Sequence, residues 1–236
     1  MSQLTLYCHC FQQNLNRHTQ AIQKNLMCGA GGLEQNYRAK LSSQNFYFDD
    51  TQENISIINP WLGDLTGLYW IWKNTTDEFV GTNQYRRFYD DNELTNLQLD
   101  TNTLYISAPV GFDRSAYDQM VMHHTEAGFN MLRIASNSNR VSIKPDMIDS
   151  IKKINYLSPC NMFFAHRTIF DKLCDILFTI MFELYEGSKY ALPWIQKSGQ
   201  TRLLAFLAER MLNMIYLNKD YFLGNTEIKS INWNIK

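Results

Sequence analysis

Long hydrophobic runs are missing from this chain. Its most apolar stretch, Ile176–Phe182, is far shorter than the ~20 apolar residues with which a helix crosses a bilayer. Residues 1–11 contain no basic region, no long apolar stretch and no small-residue cleavage site, so we expect no signal peptide. An excess of one charge is also missing, because the net charge is −1, which argues against a large sequence-independent nucleic-acid interface. These absences predict a cytoplasmic protein without a nucleic-acid partner.

Cysteine is scarce, and its pattern excludes a disulfide framework. The chain has five cysteines, an odd number without regular spacing, which is typical of reduced thiols in cytosolic enzymes. Cys8 and Cys10 flank His9 in an arrangement that looks like a metal site. On a strand, however, the two cysteines would share one face and His9 would take the other, and no second ligand pair with zinc spacing follows. We therefore predict buried thiols, with His9 as a candidate nucleotide contact at the end of the first strand.

The common phosphate-binding and metal-binding motifs are absent as well. The GAGG turn at 29–32 lacks the lysine of a P-loop and the spacing of a Rossmann fingerprint. No Asp-x-Asp follows a predicted central strand, and the contiguous Asp90 and Asp91 would point in different directions on an extended segment. We therefore assign no cofactor, and a divalent metal held by other residues stays open.

What the chain does contain is enough apolar surface for a large core. Hydrophobic residues make up 45% of its 236 residues and aromatic residues 14%, which favours one large domain. Short apolar segments predict strands at 4–8, 46–48, 79–81, 104–108 and 161–165. Periodic segments predict helices at 64–74, 115–135, 147–154, 168–184 and 202–216, with a weaker amphipathic pattern at 21–27 and a loop at 186–200. Strands that alternate with helices predict an α/β fold, with a mainly parallel sheet covered by helices on both faces.

The most informative segment is residues 65–89, which read LTGLYWIWKNTTDEFVGTNQYRRFY. An aromatic helix leads through a turn into a buried strand that ends near Arg86 and Arg87. Guanidinium groups hold phosphate through paired, charge-assisted hydrogen bonds, and ligands of open α/β sheets bind beyond the carboxyl ends of the strands. Because successive side chains on a strand face opposite sides, we expect one of the two arginines to contact phosphate. The alternative is that one or both arginines pair with surface carboxylates such as Asp90 or Glu93.

Several motifs in a fixed order resemble one known family. They are Asp-Thr at 50–51, N-I-S-x-x-N at 54–59, L-T-x-L-Y-W-x-W-K-N at 65–74, Y-R-R-F at 85–88, N-M-F at 161–163 and F-L-A-E-R at 206–210. The chain resembles the bacterial capsular-polysaccharide and exopolysaccharide glycosyltransferase family that was long carried as a domain of unknown function. The resemblance covers roughly Leu4 to Leu217, and the run around Trp70 is its most specific part.

The resemblance implies a GT-A-like nucleotide-sugar fold. It implies a single domain over residues 1–236, with a nucleotide-sugar-binding part at about 1–110 and a helical acceptor side at about 111–236. It also implies a hexosyltransferase that uses a nucleotide-sugar donor, such as a UDP-hexose or UDP-galactofuranose. The acceptor would be an oligosaccharide or a lipid-linked glycan in capsule, exopolysaccharide or lipopolysaccharide synthesis. A lipid-linked acceptor would bring the cytoplasmic enzyme into peripheral contact with the inner membrane.

The matched motifs nominate individual site residues. The catalytic candidates are Arg86, Arg87 and Glu209. The donor-binding candidates are His9, Asp50, Thr51, Asn54, Thr66, Trp70, Lys73, Asn74, Gln84, Tyr85 and Asn161. Family members usually carry His before Y-R-R, where this chain has Gln84. A proton-transfer role therefore cannot be carried over to that position, although Gln84 can still hydrogen-bond a sugar or a phosphate.

The donor-binding candidates also have structural explanations. Aromatic residues on a helix are more often core than ligand platform. Lys73, near the end of the predicted helix, complements the helix dipole. Asp50 and Asn54 have short polar side chains, which commonly form turns. Contact with the nucleotide and these local roles both stay open.

A catalytic base is the remaining requirement of the proposed reaction. An inverting transferase needs a carboxylate to take the proton of the acceptor hydroxyl, and we expect inversion because no covalent nucleophile stands out. Glu209 is the leading candidate, before Asp64, which is also the predicted N-cap of the aromatic helix, and Asp90. An ion pair of Glu209 with Arg202 or Arg210 is the alternative.

Two other functions stay open. A non-catalytic glycan-binding or assembly subunit would keep the fold without the chemistry, and Gln84 in place of the expected His favours it. A different nucleotide-dependent transfer, such as that of a phosphoryl group to a capsule sugar, would use the same anion-binding groups. Release of a nucleoside monophosphate rather than a diphosphate would point away from ordinary glycosyl transfer.

Overall fold

The fold is described from a computed structural model, which covers residues 3–11, 23–138, 140, 142–189 and 202–235. Most of the predicted loop at 186–200 lies outside these residues, and its first part belongs to a helix that ends at Ser188.

Strands form a large sheet and a small separate ribbon. They are β1 Leu4–Cys10, β2 Gln23–Met27, β3 Tyr47–Phe48, β4 Phe79–Gln84, β5 Arg87–Tyr89, β6 Thr103–Ser107, β7 Val110–Gly111, β8 Tyr156–Leu157, β9 Phe163–His166, β10 Glu227–Ile231 and β11 Trp233–Ile235. The α-helices are α1 Gln35–Ser42, α2 Asn59–Leu62, α3 Leu65–Asn74, α4 Asp91–Asn96, α5 Ala116–His123, α6 Ala127–Ala135, α7 Pro145–Asp149, α8 Arg167–Ser188, α9 Leu203–Leu217 and α10 Lys219–Phe222.

The large sheet is mainly parallel. Its order is β10-β6-β9-β4-β1-β2-β3, and β1 lies parallel to both β4 and β2. Strand β9 runs antiparallel between β4 and β6, so its amino end meets the carboxyl ends of its neighbours. At the end of β4 the chain turns back into β5, which pairs with β11 at the edge. One edge of the sheet therefore collects the ends of β1, β2 and β4 together with the start of β9.

Both faces of the sheet are covered, as predicted. Side chains of a strand alternate between faces, and β1 shows this directly: Leu4 and Leu6 join a cluster that includes Leu94 and Leu97 at α4. Tyr7, on the opposite face, packs in the main core with α3, α8 and α9. The predicted α/β architecture is confirmed, and α3 and α9 reach the edge where the parallel strands end.

Two local predictions are wrong, and the C-terminal strands were missed. The amphipathic segment at 21–27 contributes strand β2 rather than helix, because parallel pairing with β1 supplies its backbone partners and overrides local propensity. The helix predicted at 115–135 is divided into α5 and α6, since Thr125 adopts φ 120°, which no helix accommodates. The C-terminal strands β10 and β11 were not predicted, because β10 is an edge strand that buries only Ile231 and therefore carries a weak apolar pattern.

Candidate active site

A cavity of about 720 Å³ opens at the edge where the parallel strands end. Its wall comes from the segments after β1, β2 and β4, from the turn before β9, and from the start of α3 and of α9. The lining residues are Phe11, Met27, Cys28, Gly29, Gly32, Leu33, Asn59, Gly63, Asp64, Gln84, Tyr85, Arg86, Arg87, Cys160, Asn161, Arg202, Ala205, Phe206 and Glu209. This position is the usual ligand site of open α/β sheets, and the volume is in the range of about 300–1,000 Å³ typical of ligand pockets.

Three arginines line the cavity. Arg86 is exposed in the turn between β4 and β5, with its guanidinium carbon 4.9 Å from the centre of the Tyr85 ring. Arg87 begins β5 and donates from Nη1 to the thiol of Cys160 at 3.1 Å, while its buried Nε has no partner among the described residues. Because Arg86 lies in a turn and not on the strand, both arginines line the cavity. Arg202 is the third, and its guanidinium lies 5.1 Å from the Phe11 ring centre.

Asp64 places a buried carboxylate in the same cavity. It stands at the N-cap position of α3 but does not cap the helix with its side chain. Gly63 precedes it with φ 57°, and the carboxylate points instead to the strand ends. There it accepts hydrogen bonds from Gln84 Nε2 at 2.9 Å and from Asn161 Nδ2 at 3.2 Å. The predicted capping role of Asp64 is therefore wrong, and the sequence-predicted residues Gln84 and Asn161 meet on this carboxylate.

Glu209 on α9 is the second carboxylate of the cavity. Its Oε1 accepts the backbone N–H of Cys160 at 2.7 Å, and its Oε2 accepts from Arg210 Nη1 at 2.8 Å. The Arg210 side chain is only 3% exposed and that of Glu209 16%, so the pair is largely withdrawn from solvent. Of the two arginines considered as partners from the sequence, Arg210 forms the ion pair and Arg202 lines the cavity.

Burial shifts the pKa of both carboxyl groups upward. Desolvation, aided by the negative charge of Glu209, raises the pKa of Asp64 to about 6, although the hydrogen bonds from Gln84 and Asn161 oppose the shift. Desolvation also raises the pKa of Glu209, against the opposing effect of the Arg210 charge and the Cys160 N–H. A carboxyl group with a pKa near neutrality can exchange a proton with a ligand at physiological pH.

A strained turn connects the two carboxylates. Cys160 and Asn161 both have positive φ, 71° and 52°, in a region that costs non-glycine residues ~1–3 kcal/mol each. The Cys160 N–H binds Glu209 and the Asn161 amide binds Asp64. Thr82 on β4 holds the turn by donating to the Asn161 carbonyl at 3.0 Å. The turn thus gives Asp64 and Glu209 a common support.

Asp49, which was not selected from the sequence, supports another wall of the cavity. Its fully buried carboxylate accepts from the backbone N–H groups of Gly29 and Ala30 at 2.8 and 2.9 Å. It also accepts from the hydroxyls of Ser56 at 2.7 Å and Thr66 at 2.5 Å. Thr66 therefore contributes through Asp49 and does not line the cavity. The available signal was its position directly after the predicted strand at 46–48, beside the selected Asp50.

Three predicted donor-binding residues lie away from the cavity. His9 is buried under α3, next to Gly67, and burial lowers its pKa to about 3, so it is neutral. Asp50 forms a two-pronged ion pair with Arg38 at 2.5 and 2.9 Å. Asn54 donates to the carbonyls of residues 50 and 52 and shapes a turn.

Four further donor-binding candidates lie at or near the far end of α3. Trp70 donates from Nε1 to the carbonyl and hydroxyl of Thr51 at 3.0 and 2.9 Å. Asn74 bonds the backbone of residues 53 and 70. Lys73 places its ammonium 3.5 Å from the Trp72 ring centre. Thr51, Trp70 and Asn74 line a second cavity. These residues are close to the arginine pair in sequence, but they do not line the first cavity.

The described residues contain neither a metal-binding cluster nor a membrane-spanning helix. No group of three or more His, Cys, Asp or Glu side chains among them could hold a metal ion. No helix in the same part of the chain has the length and apolarity needed to traverse a membrane.

Comparisons with known proteins agree with this α/β architecture. The chain belongs to the family described as Domain of unknown function (DUF4422), whose model matches residues 7–221. Among solved structures, the apo structure of the WbbM bifunctional glycosyltransferase superposes with a TM-score of 0.70 at 19% sequence identity. The match covers 99% of this chain and 45% of WbbM, so the chain spans less than half of that protein. No curated protein matches the chain significantly. The fold is therefore GT-A-like, as the sequence resemblance implied.

Proposed function

We propose that this protein is a glycosyltransferase that moves a sugar from a nucleotide-sugar donor to a glycan hydroxyl. One observation carries the proposal: a cavity at the carboxyl ends of parallel strands is lined by three arginines and by two carboxylates, one buried and one largely buried. The arginines are Arg86, Arg87 and Arg202, and the carboxylates are Asp64 and Glu209. The fold shared with WbbM, a bifunctional glycosyltransferase, and the motifs of the sequence support the same reaction class.

The arginines suit the leaving group of this reaction. Transfer breaks the bond between the anomeric carbon and the β-phosphate oxygen, and the released nucleoside diphosphate gains negative charge. Fixed cations in a partly enclosed site stabilise such a charge where it develops. Arg86 is exposed towards the cavity and Arg87 has a buried Nε without a partner among the described residues, so both have hydrogen-bonding capacity for phosphate. Because these side chains supply the charge, we expect turnover to survive EDTA.

The carboxylates suit the acceptor. As the acceptor oxygen attacks the anomeric carbon, a carboxylate takes the hydroxyl proton, and inversion follows from this single displacement. Glu209 is the proposed base, and Asp64 is the other carboxylate of the cavity that can take the role. The part up to about residue 110 would bind the donor, while Arg202, Phe206 and Glu209 from the part after residue 111 would face the acceptor. Asp90 caps α4 through Asn92 and Glu93, which leaves it a weaker candidate.

The finer assignment follows the sequence resemblance. We propose a UDP-hexose donor, with UDP-galactofuranose as one example, and an oligosaccharide or lipid-linked acceptor in capsule, exopolysaccharide or lipopolysaccharide synthesis. The enzyme would work in the cytoplasm, with peripheral contact to the inner membrane where the acceptor is lipid-linked.

Donor binding and donor turnover test the proposal in turn. Thermal-shift measurements with UDP, GDP and CMP sugars should show that one nucleotide class raises the melting temperature, because a ligand that binds the folded state stabilises it by mass action. Slow hydrolysis of that donor to free sugar and nucleoside diphosphate should then be detectable. Absence of any nucleotide-dependent shift would contradict the proposal.

A second candidate function rests on Gln84. This residue donates to Asp64 at a position where relatives usually carry His, and a non-catalytic glycan-binding subunit would tolerate that change. Binding of the nucleotide sugar without hydrolysis or transfer to any acceptor would favour this second function. Hydrolysis of the donor would exclude it.

A further inference from the structure

A second cavity of about 550 Å³ lies at the C-terminal end of α3, between that helix and strands β2 and β3. It is lined by Tyr7, Lys24, Phe46, Tyr47, Phe48, Thr51, Gln52, Trp70, Asn74, Thr75, Thr76 and Asp77. None of these residues lines the first cavity. Its volume is again within the range of about 300–1,000 Å³ usual for sites that bind small molecules. The second cavity is therefore a separate candidate binding site.

Three aromatic rings build the apolar wall of the second cavity. The ring centre of Tyr47 lies 6.0 Å from that of Tyr7 and 5.9 Å from that of Trp70. Tyr7 and Trp70 are almost fully buried, whereas Tyr47 is 40% exposed. The two buried rings contact Tyr47 on one side, and the Lys24 ammonium lies 5.8 Å from the Tyr47 ring centre. The remaining part of the Tyr47 ring faces solvent as an apolar surface with a polar hydroxyl at its edge.

The charges of the second cavity neutralise each other. Among its described lining residues, the charged side chains are Lys24 and Asp77, which form an ion pair at 3.2 Å. Asp77 also accepts from Thr5 at 2.8 Å and from the Tyr7 hydroxyl at 2.9 Å. A site for phosphate or another anion would need an unpaired cation, so this wall favours an uncharged ligand.

Polar groups at the rim remain available to such a ligand. Within the described parts of the chain, the side-chain amide of Gln52 and the hydroxyl of Thr76 make no hydrogen bond, and both residues are exposed. Gln52 adopts φ 53°, which places it at a turn beside Thr51. The amide both donates and accepts, and the hydroxyl does the same.

We propose that the second cavity binds a neutral saccharide. A pyranose has one face of C–H groups and a rim of hydroxyls, which matches an exposed aromatic ring bordered by uncharged donors and acceptors. The C–H face would pack on Tyr47, and the hydroxyls would meet Gln52 and Thr76. This site is additional to the proposed transferase site and does not depend on it.

Saccharide titrations of the full chain test this proposal. The probes are methyl β-galactoside, methyl β-glucoside and lactose, each followed by ligand-observed NMR. We expect at least one of these saccharides to bind. Tyr47→Ala should raise the Kd of that saccharide about tenfold, which corresponds to ~1.4 kcal/mol. Tyr47→Phe should retain most of the affinity because it keeps the ring. Tyr47 is half-exposed at the end of a short strand, so neither change should unfold the protein.

Controls separate the two cavities. Arg86→Ala should leave saccharide binding unchanged, and Tyr47→Ala should keep any UDP-induced rise in melting temperature, which also confirms folding. Lack of binding for all three probes would overturn the proposal. Equal affinity in wild type and Tyr47→Ala, or loss of saccharide binding in Arg86→Ala, would overturn it as well, the last by locating the saccharide in the first cavity.

Discussion

The two cavities lie at opposite ends of one helix and differ in charge. At the N-terminal end of α3, the first cavity combines three arginines with two carboxylates whose pKa values are raised. At the C-terminal end, ~15 Å away for a helix of this length, the second cavity has one neutralised ion pair and an exposed tyrosine ring. The comparison shows that the two ends of a single motif-bearing helix present different side-chain chemistry, with charge concentrated where the parallel strands end.

The largest expected effect comes from removing the proposed base. Glu209→Gln should lower kcat by about 10²–10⁴-fold, because general-base catalysis contributes that much, while donor affinity is retained. Single-turnover kinetics and a nucleotide thermal shift would measure the two quantities. Asp64→Asn is the matched comparison: if it removes activity while Glu209→Gln does not, the base assignment moves to Asp64.

Loss of the arginine pair should have the next largest effect. Arg86→Ala combined with Arg87→Ala should lower kcat by about 10²–10³-fold, the usual result of removing a group that stabilises transition-state charge, and should abolish the UDP-induced thermal shift. Saccharide binding in the second cavity should persist. Lys24→Ala is the control for nucleotide affinity and turnover, because Lys24 lies in the second cavity and its charge is paired with Asp77. Unchanged nucleotide affinity and turnover in the double variant would refute the proposed role of the arginines.

Asp49 connects the first cavity to the segment that leads into the second. Asp49→Asn replaces one of the two buried carboxylate oxygens by an NH2 group, so one backbone N–H and one hydroxyl lose their acceptor. We therefore expect a loss of stability of about 3 kcal/mol, or roughly 6–12 °C in Tm. Asp50→Asn, one residue along, breaks only the partly exposed pair with Arg38 and should cost about 0–1 kcal/mol. Differential scanning calorimetry would compare them, and equal losses would contradict the supporting role of Asp49.

The smallest expected effect is a pH dependence that belongs to the first cavity alone. Burial raises the pKa of Asp64 from its usual value of 3.8, which applies to the unfolded chain, to about 6 in the folded protein, so the folded state binds the proton more tightly. This contribution to stability is complete below the unfolded pKa and is lost as the pH rises through the folded pKa. The full effect is on the order of 3 kcal/mol, of which roughly 2 kcal/mol falls between about pH 4.5 and pH 7. Urea unfolding of wild type and Asp64→Asn at about pH 4.5 and pH 7, on either side of the folded pKa, would measure it. An identical pH dependence in both proteins would contradict the shifted pKa.

The sequence predicts the fold and one wall of the first cavity, for reasons visible in particular residues. Gln84, Tyr85, Arg86 and Arg87 follow a strong apolar strand, and the ends of parallel strands meet at one edge. Asn161 and Glu209 join them through long-range packing that only the resemblance suggested. Whether each of these residues contacts a donor stays a prediction.

The sequence does not reveal which end of a helix faces which site. Trp70 and Asn74 belong to the same segment, residues 65–89, as the arginine pair, but they follow Asp64 of the first cavity by about two to three helical turns. Asp64 was predicted both as a helix cap and as a weaker candidate for the base, and its carboxylate lines the cavity directly after Gly63, which has a positive φ. Strands β2 and β11 are short and polar, and their apolar residues do not alternate clearly. They form strands because they pair with segments distant in sequence, β1 and β5, which the local pattern does not show.

The turn at Cys160 and Asn161 couples the positions of the Asp64 and Glu209 carboxylates. Carboxylates on two separate helices can usually move independently of each other. Here one turn hydrogen-bonds both, through the backbone N–H of Cys160 and the side-chain amide of Asn161, so their spacing depends on the position of this turn. If an incoming substrate displaced this turn, both carboxylates would move together. Replacing Cys160 with glycine would relieve the strain of its positive φ, and the distance between the two carboxylates would then vary more.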